Sequence, residues 1–192
     1  MQDHRKQIIA KAFKDSIPVM MGYLTMGFAG GVLLAVKVNL PCAPLWGAVM
    51  AVTILSGTMQ FAIVPAMMAG DSVLSVALLT LAINFRYLFY GFSLIERWRK
   101  VPFLRKALLI SALSDETYAL ESVATYKDDR DHLLYCSALS AMDVFYWFVG
   151  VTGGAIVGTA FTIPSKGIEF AMVALFLVIL TEQMRGFFGR RS

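Results

Sequence analysis

The sequence predicts an all-α polytopic membrane protein, and composition, the placement of charge and the lengths of the apolar runs carry that expectation. Of its 192 residues 58% are apolar and only 16% are charged, with a mean hydropathy of +0.67. A soluble domain is roughly 45–50% apolar and about 25% charged. The net charge of +4 and the pI of 9.1 do not indicate nucleic acid, because the basic residues flank apolar runs instead of forming a face. Arg86 is the exception. It sits in the run Ser72–Ile95, which is otherwise uncharged and long enough to cross a bilayer, for which about 20 residues are needed. Helix rise places it roughly 14 Å from the Ile95 end, a depth at which an arginine costs on the order of 3 kcal/mol and calls for compensation.

The elements follow in order. The N-terminal lead MQDHRKQIIAKAFKDS is charged and amphipathic, has no small-residue cleavage site, and is read as retained. Ser16–Val36 is a first span rich in glycine. Ala43–Ala69 is apolar but interrupted by Ser56-Gly57 and Pro65. The third span holds Arg86. Ala107–Tyr126 is only half apolar, with Asp115, Glu116 and Glu121 inside it, and reads as an amphipathic or half-spanning helix. Leu133–Phe161 is apolar apart from Asp143, and Gly167–Leu180 forms the last run. The expectation is about five transmembrane helices plus the amphipathic one, in a single integral membrane domain over 1–192. Cys42 and Cys136 give no disulfide or metal spacing, and no cofactor is implied.

Comparing the chain with itself at an offset of 123 reveals an internal repeat. Tyr23, Gly27, Gly30, Gly31, Pro41, Ala48, Ala51 and Gln60 recur as Tyr146, Gly150, Gly153, Gly154, Pro164, Ala171, Ala174 and Gln183. Those eight identities fall in 38 positions, where roughly three are expected by chance. Repeat A covers about 16–95 and repeat B about 139–192, which leaves B without a counterpart of the Arg86 segment. Either the chain is shortened there or a different polypeptide fills that place. If Ala107–Tyr126 does not cross, an odd number of spans separates equivalent positions and the repeat is inverted, as in many secondary transporters. Two basic stretches complicate the topology: the lead and Arg97–Lys106 fall on opposite sides if three segments cross before the second stretch. The alternative is that Ala43–Ala69 re-enters at Ser56-Gly57 without crossing. Arg97–Arg130 is expected to be cytoplasmic.

Several residues could carry chemistry at membrane depth. Ser56-Gly57 and Pro65 weaken a helix, and a broken helix exposes amides whose positive dipole end binds carboxylates. Gln60 adds a donor and an acceptor beside that break. Arg86 and Tyr90 share a helical face, with Asn84 on another. The arginine fork matches a carboxylate in two-point geometry. Asp143, the only charge in its segment, is the expected counter-ion of Arg86, and a structural ion pair between helices is the plainer reading of both. Asp115-Glu116 could hold a proton or a cation, or could equally belong to a surface helix showing its acids to water.

With these residues in view, SGTMQF, NFRYLFYG, SDETYAL and YWFVGVTGGAIVG resemble the motifs of AzlC-type branched-chain amino-acid exporters, over Phe13 to about Gln183. The resemblance implies a carrier in the bacterial cytoplasmic membrane that exports valine, leucine, isoleucine and related residues such as methionine. It further implies a small membrane subunit of AzlD type. By motif match the substrate-binding positions are Gly57, Gln60, Asn84, Arg86 and Tyr90, and the coupling or counter-ion positions are Asp115 and Glu116, which Asp143 joins as the lone charge of its segment. Tyr23, Tyr146 and Gln183 are repeat-equivalent candidates. The departure from the family is the early C-terminus, where family members continue with a further apolar segment.

Other classes fit less well. No phosphate-binding loop is present, so coupling is expected from an ion gradient. A channel needs acidic rings or a carbonyl filter, which here could form only in an oligomer. An enzyme is not expected, since His4 and His132 lie at segment edges with no Ser/His, paired-Asp or HExxH constellation. A non-transporting subunit of such a carrier is the remaining alternative.

Overall fold

The computed structural model describes residues 2–38, 40–95, 98–99, 101–126 and 128–161, with isolated positions at 167, 170, 174, 177 and 181. Gly167–Leu180 therefore falls almost wholly outside the described residues, as does Gln183. The described elements are all helical: α1 (Gln2–Val38), α2 (Ala43–Thr53), α3 (Gly57–Ala69), α4 (Val73–Asn84), α5 (Arg86–Ile95), α6 (Phe103–Ser111), α7 (Asp115–Val123) and α8 (Asp129–Ala160). Among them α1 and α8 are each long and apolar enough to cross a bilayer. The pair α4 and α5, bent by 45°, makes a third such unit.

α1 and α8 form the spine, and they lie side by side pointing the same way. Contacts advance together along both: His4 with Asp131 at 2.7 Å, Ser16 with Tyr146 at 3.1 Å, Gly27 against Gly150, and Val32 against Gly158. Glycine makes this approach possible. A Cβ on Gly31 overlaps the Val151 carbonyl oxygen, and one on Gly154 overlaps that of Phe28. These two contacts exchange under the offset of 123, because Phe28 corresponds to Val151 and Gly31 to Gly154. Such reciprocity is the mark of a two-fold relation. Helices related by inversion run in opposite directions. The inverted relation expected from the repeat is thus replaced, for this pair, by a parallel one.

The other helices fold back around the spine. α2 and α3 are too short to cross, with 11 and 13 residues, and Ala43–Ala69 is a hairpin, not one of the five spans. α2 starts just after α1 ends. α3 then returns along the same end of α1, its Phe61 and Val64 packing with Leu33, Leu34 and Met50. Thr80 of α4 bonds Met59 of α3 at 3.5 Å, so α4 runs back past α3 toward the middle. α5 continues from there to the opposite end, where Leu94 and Trp98 join Ile8 and Ala12 in a second core.

From that end α6 and α7 form a second hairpin. Arg105, near the start of α6, bonds Ser137 at 3.0 Å and shares a surface pocket with His4, Arg5, Asp128 and Arg130. Beyond α7, Tyr126 packs on Tyr135 at 5.4 Å, near the same end. Ala107–Tyr126 therefore goes in and comes back, as a half-spanning element does. The two hairpins enter from opposite ends of the spine. This geometry places the N-terminal lead at the same end as Arg105 and removes the conflict between the two basic stretches.

Candidate functional site

Each hairpin breaks at a serine that caps the helix following it. At the first break Leu55 takes a left-handed φ of 48°, unusual for a non-glycine residue. Ser56 is then extended and its Oγ accepts from the Met59 amide at 3.4 Å. At the second, Ser114 is extended and its Oγ accepts from the Thr117 amide at 3.0 Å. A helix start carries amides without partners inside the helix and the positive end of its dipole. The starts of α3 and α7 thus bring two positive ends to mid-depth, beside the bend between α4 and α5.

Side chains tie these three breaks together. Ser56 Oγ donates to Asn84 Oδ1 at 2.8 Å, and Tyr87 donates to Ser56 Oγ at 3.4 Å. Arg86 Nη1 donates to Asp115 Oδ2, and Nη2 lies 3.3 Å from Thr58 Oγ1. Tyr90 donates to Asp115 Oδ1 at 2.7 Å. Tyr23 donates to Ser114 Oγ and, at 3.2 Å, to Glu116 Oε2. Between them lies a cavity of about 650 Å³, within the roughly 300–1,000 Å³ of small-molecule sites. Its polar lining is Tyr23, Ser56, Gly57, Thr58, Arg86, Tyr87, Ser114, Asp115, Glu116 and Asp143. Its apolar wall includes Met26, Ala51, Phe61, Val144 and Trp147.

The residues singled out from sequence divide by position. Gly57, Arg86, Asp115, Glu116, Asp143 and Tyr23 line the cavity. Gln60, Asn84 and Tyr90 stand one hydrogen bond behind it, holding Trp147, Ser56 and Asp115 respectively; the Gln60 bond is 2.6 Å. Tyr146 bonds Ser16 between α1 and α8. One expectation is corrected. Arg86 takes Asp115 as its ion partner, whereas Asp143 accepts from Thr117 Oγ1 at 2.7 Å. α7 reaches the cavity at its first turn, where carboxylates also suit the helix dipole, so Asp115 meets the guanidinium first. Thr58, Tyr87, Ser114, Thr117 and Trp147 were not singled out. Ser114 could have been, since serine followed by two acids is a helix-start signature.

Two hairpins broken at mid-depth around an ion pair, packed on long apolar helices, define a polytopic helical membrane protein with an internal polar chamber. The chain belongs to the AzlC family: the family model described as "AzlC protein" matches residues 18–161. An uncharacterized membrane protein of Haemophilus influenzae is 35% identical over 90% of this chain and 70% of its own length. An uncharacterized membrane protein of Helicobacter pylori is 32% identical over 91% of this chain and 77% of its own. The branched-chain amino acid transport protein AzlC of Bacillus subtilis is 29% identical over 93% of this chain and 70% of its own. No solved structure matches the chain.

Proposed function

We propose that this protein carries branched-chain and related apolar amino acids (valine, leucine, isoleucine and methionine) out across the bacterial cytoplasmic membrane, driven by an ion gradient. The observation that carries this reading is the Arg86–Asp115 pair on the wall of a cavity that is also lined by apolar side chains. A zwitterion matches an ion pair in charge. Its carboxylate can take the arginine fork and the first-turn amides of α3, while its ammonium meets Asp115, Glu116 or Asp143. The exchange leaves net charge unchanged, which matters where unpaired charge is costly. Phe61, Trp147, Met26 and Val144 then offer the aliphatic side chain an apolar surface. The name of the Bacillus subtilis relative agrees with this substrate class.

A small AzlD-like membrane subunit, or a second copy of this chain, is proposed as the partner. Purified protein in proteoliposomes, alone and with a candidate subunit, tests the reading through efflux of labelled leucine against competing valine, glycine and lysine. Competition by valine and not by lysine is expected. Leucine efflux no faster than from protein-free vesicles in both preparations would overturn the reading.

A further inference from the structure

Two buried acids stand on α7 and α8: Asp143, which lines the cavity, and Glu121, which is not among its lining residues. Glu121 is 0% exposed and Asp143 is 2% exposed. One oxygen of each, Glu121 Oε2 and Asp143 Oδ1, has no hydrogen-bond partner among the described residues. Their other oxygens accept from hydroxyls: Asp143 Oδ2 from Thr117 at 2.7 Å and Glu121 Oε1 from Ser140 at 3.2 Å. Among the described residues neither carboxyl has a lysine or arginine partner, in contrast to Asp115. Two acids buried without a cation, each with a bare oxygen, are built to hold protons and not to stabilise a helix pair.

The surroundings extend from the cavity toward one end of the molecule. On α8, His132, Cys136, Ser140 and Asp143 succeed one another at helical spacing and are all buried. Thr117 and Glu121, four apart on α7, face them. His132 Nε2 lies 3.3 Å from the Glu121 carbonyl oxygen, and its Nδ1 is 3.6 Å from Cys136 Sγ. The titratable groups around the acids are Tyr23 from α1, Glu116 from α7, and Cys136 and His132 from α8. Arg86, Tyr87 and Asp115 line the same cavity as Asp143. His132 sits near the start of α8, beside the exposed Asp128 and Asp129, so the row ends close to water.

We propose that Asp143 and Glu121 form a proton-carrying pair that exchanges a proton for the amino acid, which makes the carrier an antiporter. The proposal rests on the transport reading above and adds the coupling ion and its route. With the cavity empty, Asp143 carries the proton. An arriving ammonium group favours the Asp143 carboxylate. The Asp143 O–H bond then breaks and an O–H bond forms on the Glu121 carboxylate. Glu121 in turn releases the proton by way of the Cys136 thiol and His132 to water. After the amino acid leaves on the far side, a proton entering from that side through the cavity that Asp143 lines forms the Asp143 O–H bond again. One proton moves one way for each amino acid that moves the other.

The test uses the full chain, with whichever partner its activity requires, in proteoliposomes carrying a lumenal pH dye. Leucine–leucine exchange needs only the cavity, whereas efflux stimulated by a pH gradient needs the pair. In wild type an opposing pH gradient is expected to speed leucine efflux at least about fivefold, the lower end of typical coupling factors. E121Q, which keeps size and hydrogen-bonding capacity, is expected to retain exchange and lose the stimulation. Gradient stimulation equal to wild type in E121Q, or stimulation by sodium and not by protons in wild type, overturns the proposal. Should E121Q fail to fold, wild type decides alone: leucine added to the purified protein in weak buffer should release about one proton per leucine bound, as linkage requires. Binding without release overturns the proposal. A wild type that exchanges no leucine defeats the transport reading itself and takes this one with it.

Discussion

Arg86 stands at the bend between α4 and α5, where its guanidinium reaches Asp115 on one side and Thr58 on the other. Its side chain is 26% exposed and that of Asp115 is 41% exposed, so the pair faces the cavity instead of being sealed in a core. An ion pair left open in this way can be entered by a ligand. Arg86→Lys should therefore fold and insert like wild type yet lose roughly tenfold or more in leucine flux, because a point charge cannot replace a two-point fork. Wild-type flux in that variant would remove the carboxylate role. Asp115 and Arg86 should also couple: in a double-mutant cycle R86Q and D115N are expected to cost less together than the sum of the two. Thermal stability of the purified variants checks this, and strict additivity would count against the pair. Arg86 was legible in the sequence because a lone charge in an apolar run demands compensation. Its partner was not, because one charge per segment singled out Asp143 and took no account of a hairpin that returns Asp115 to the same depth.

At the scale of elements, the serine-capped breaks and the glycine contacts do different work. The breaks create helix starts in the middle of the molecule; the glycines let two long helices touch backbone to backbone. Gly31→Ala and Gly154→Ala each place a methyl group on a carbonyl oxygen of the facing helix, so the spine must open. Each should lose on the order of 1–3 kcal/mol, the usual cost of overpacking. Gly153→Ala meets open space and should be neutral or stabilising by up to about 1 kcal/mol, since alanine suits a helix interior better. Thermal unfolding in one detergent compares all three, and equal losses would show that glycine matters here for something other than contact. The first break was legible from Ser56-Gly57 inside an apolar run. Which glycines touch was not, because Gly30, Gly31, Gly153 and Gly154 are alike in composition, and only the crossing of α1 and α8 distinguishes them.

At the scale of the whole molecule, the direction of α8 relative to α1 decides the topology. Sequence identities at a fixed offset show that two segments are alike, but they carry no sign for how one is turned against the other. That sign depends on how many connecting segments cross, and the apolar length of Ala43–Ala69 suggested a crossing where the chain turns back. With α1 and α8 parallel, the N-terminal lead, Arg105 and Arg130 gather at one end, and for the carrier proposed above the tendency for basic residues to remain inside predicts that end to be cytoplasmic. Cys42, exposed just beyond the far end of α1, then faces outward, whereas Asp129 at the start of α8 faces inward. A membrane-impermeant maleimide should thus label native Cys42 in right-side-out spheroplasts and the cysteine of Asp129→Cys only in inverted vesicles; Cys136 is buried and should stay silent in both. An inverted repeat gives the opposite result. It turns α8 around, brings residue 129 to the side of Cys42, and has both positions label from the same face.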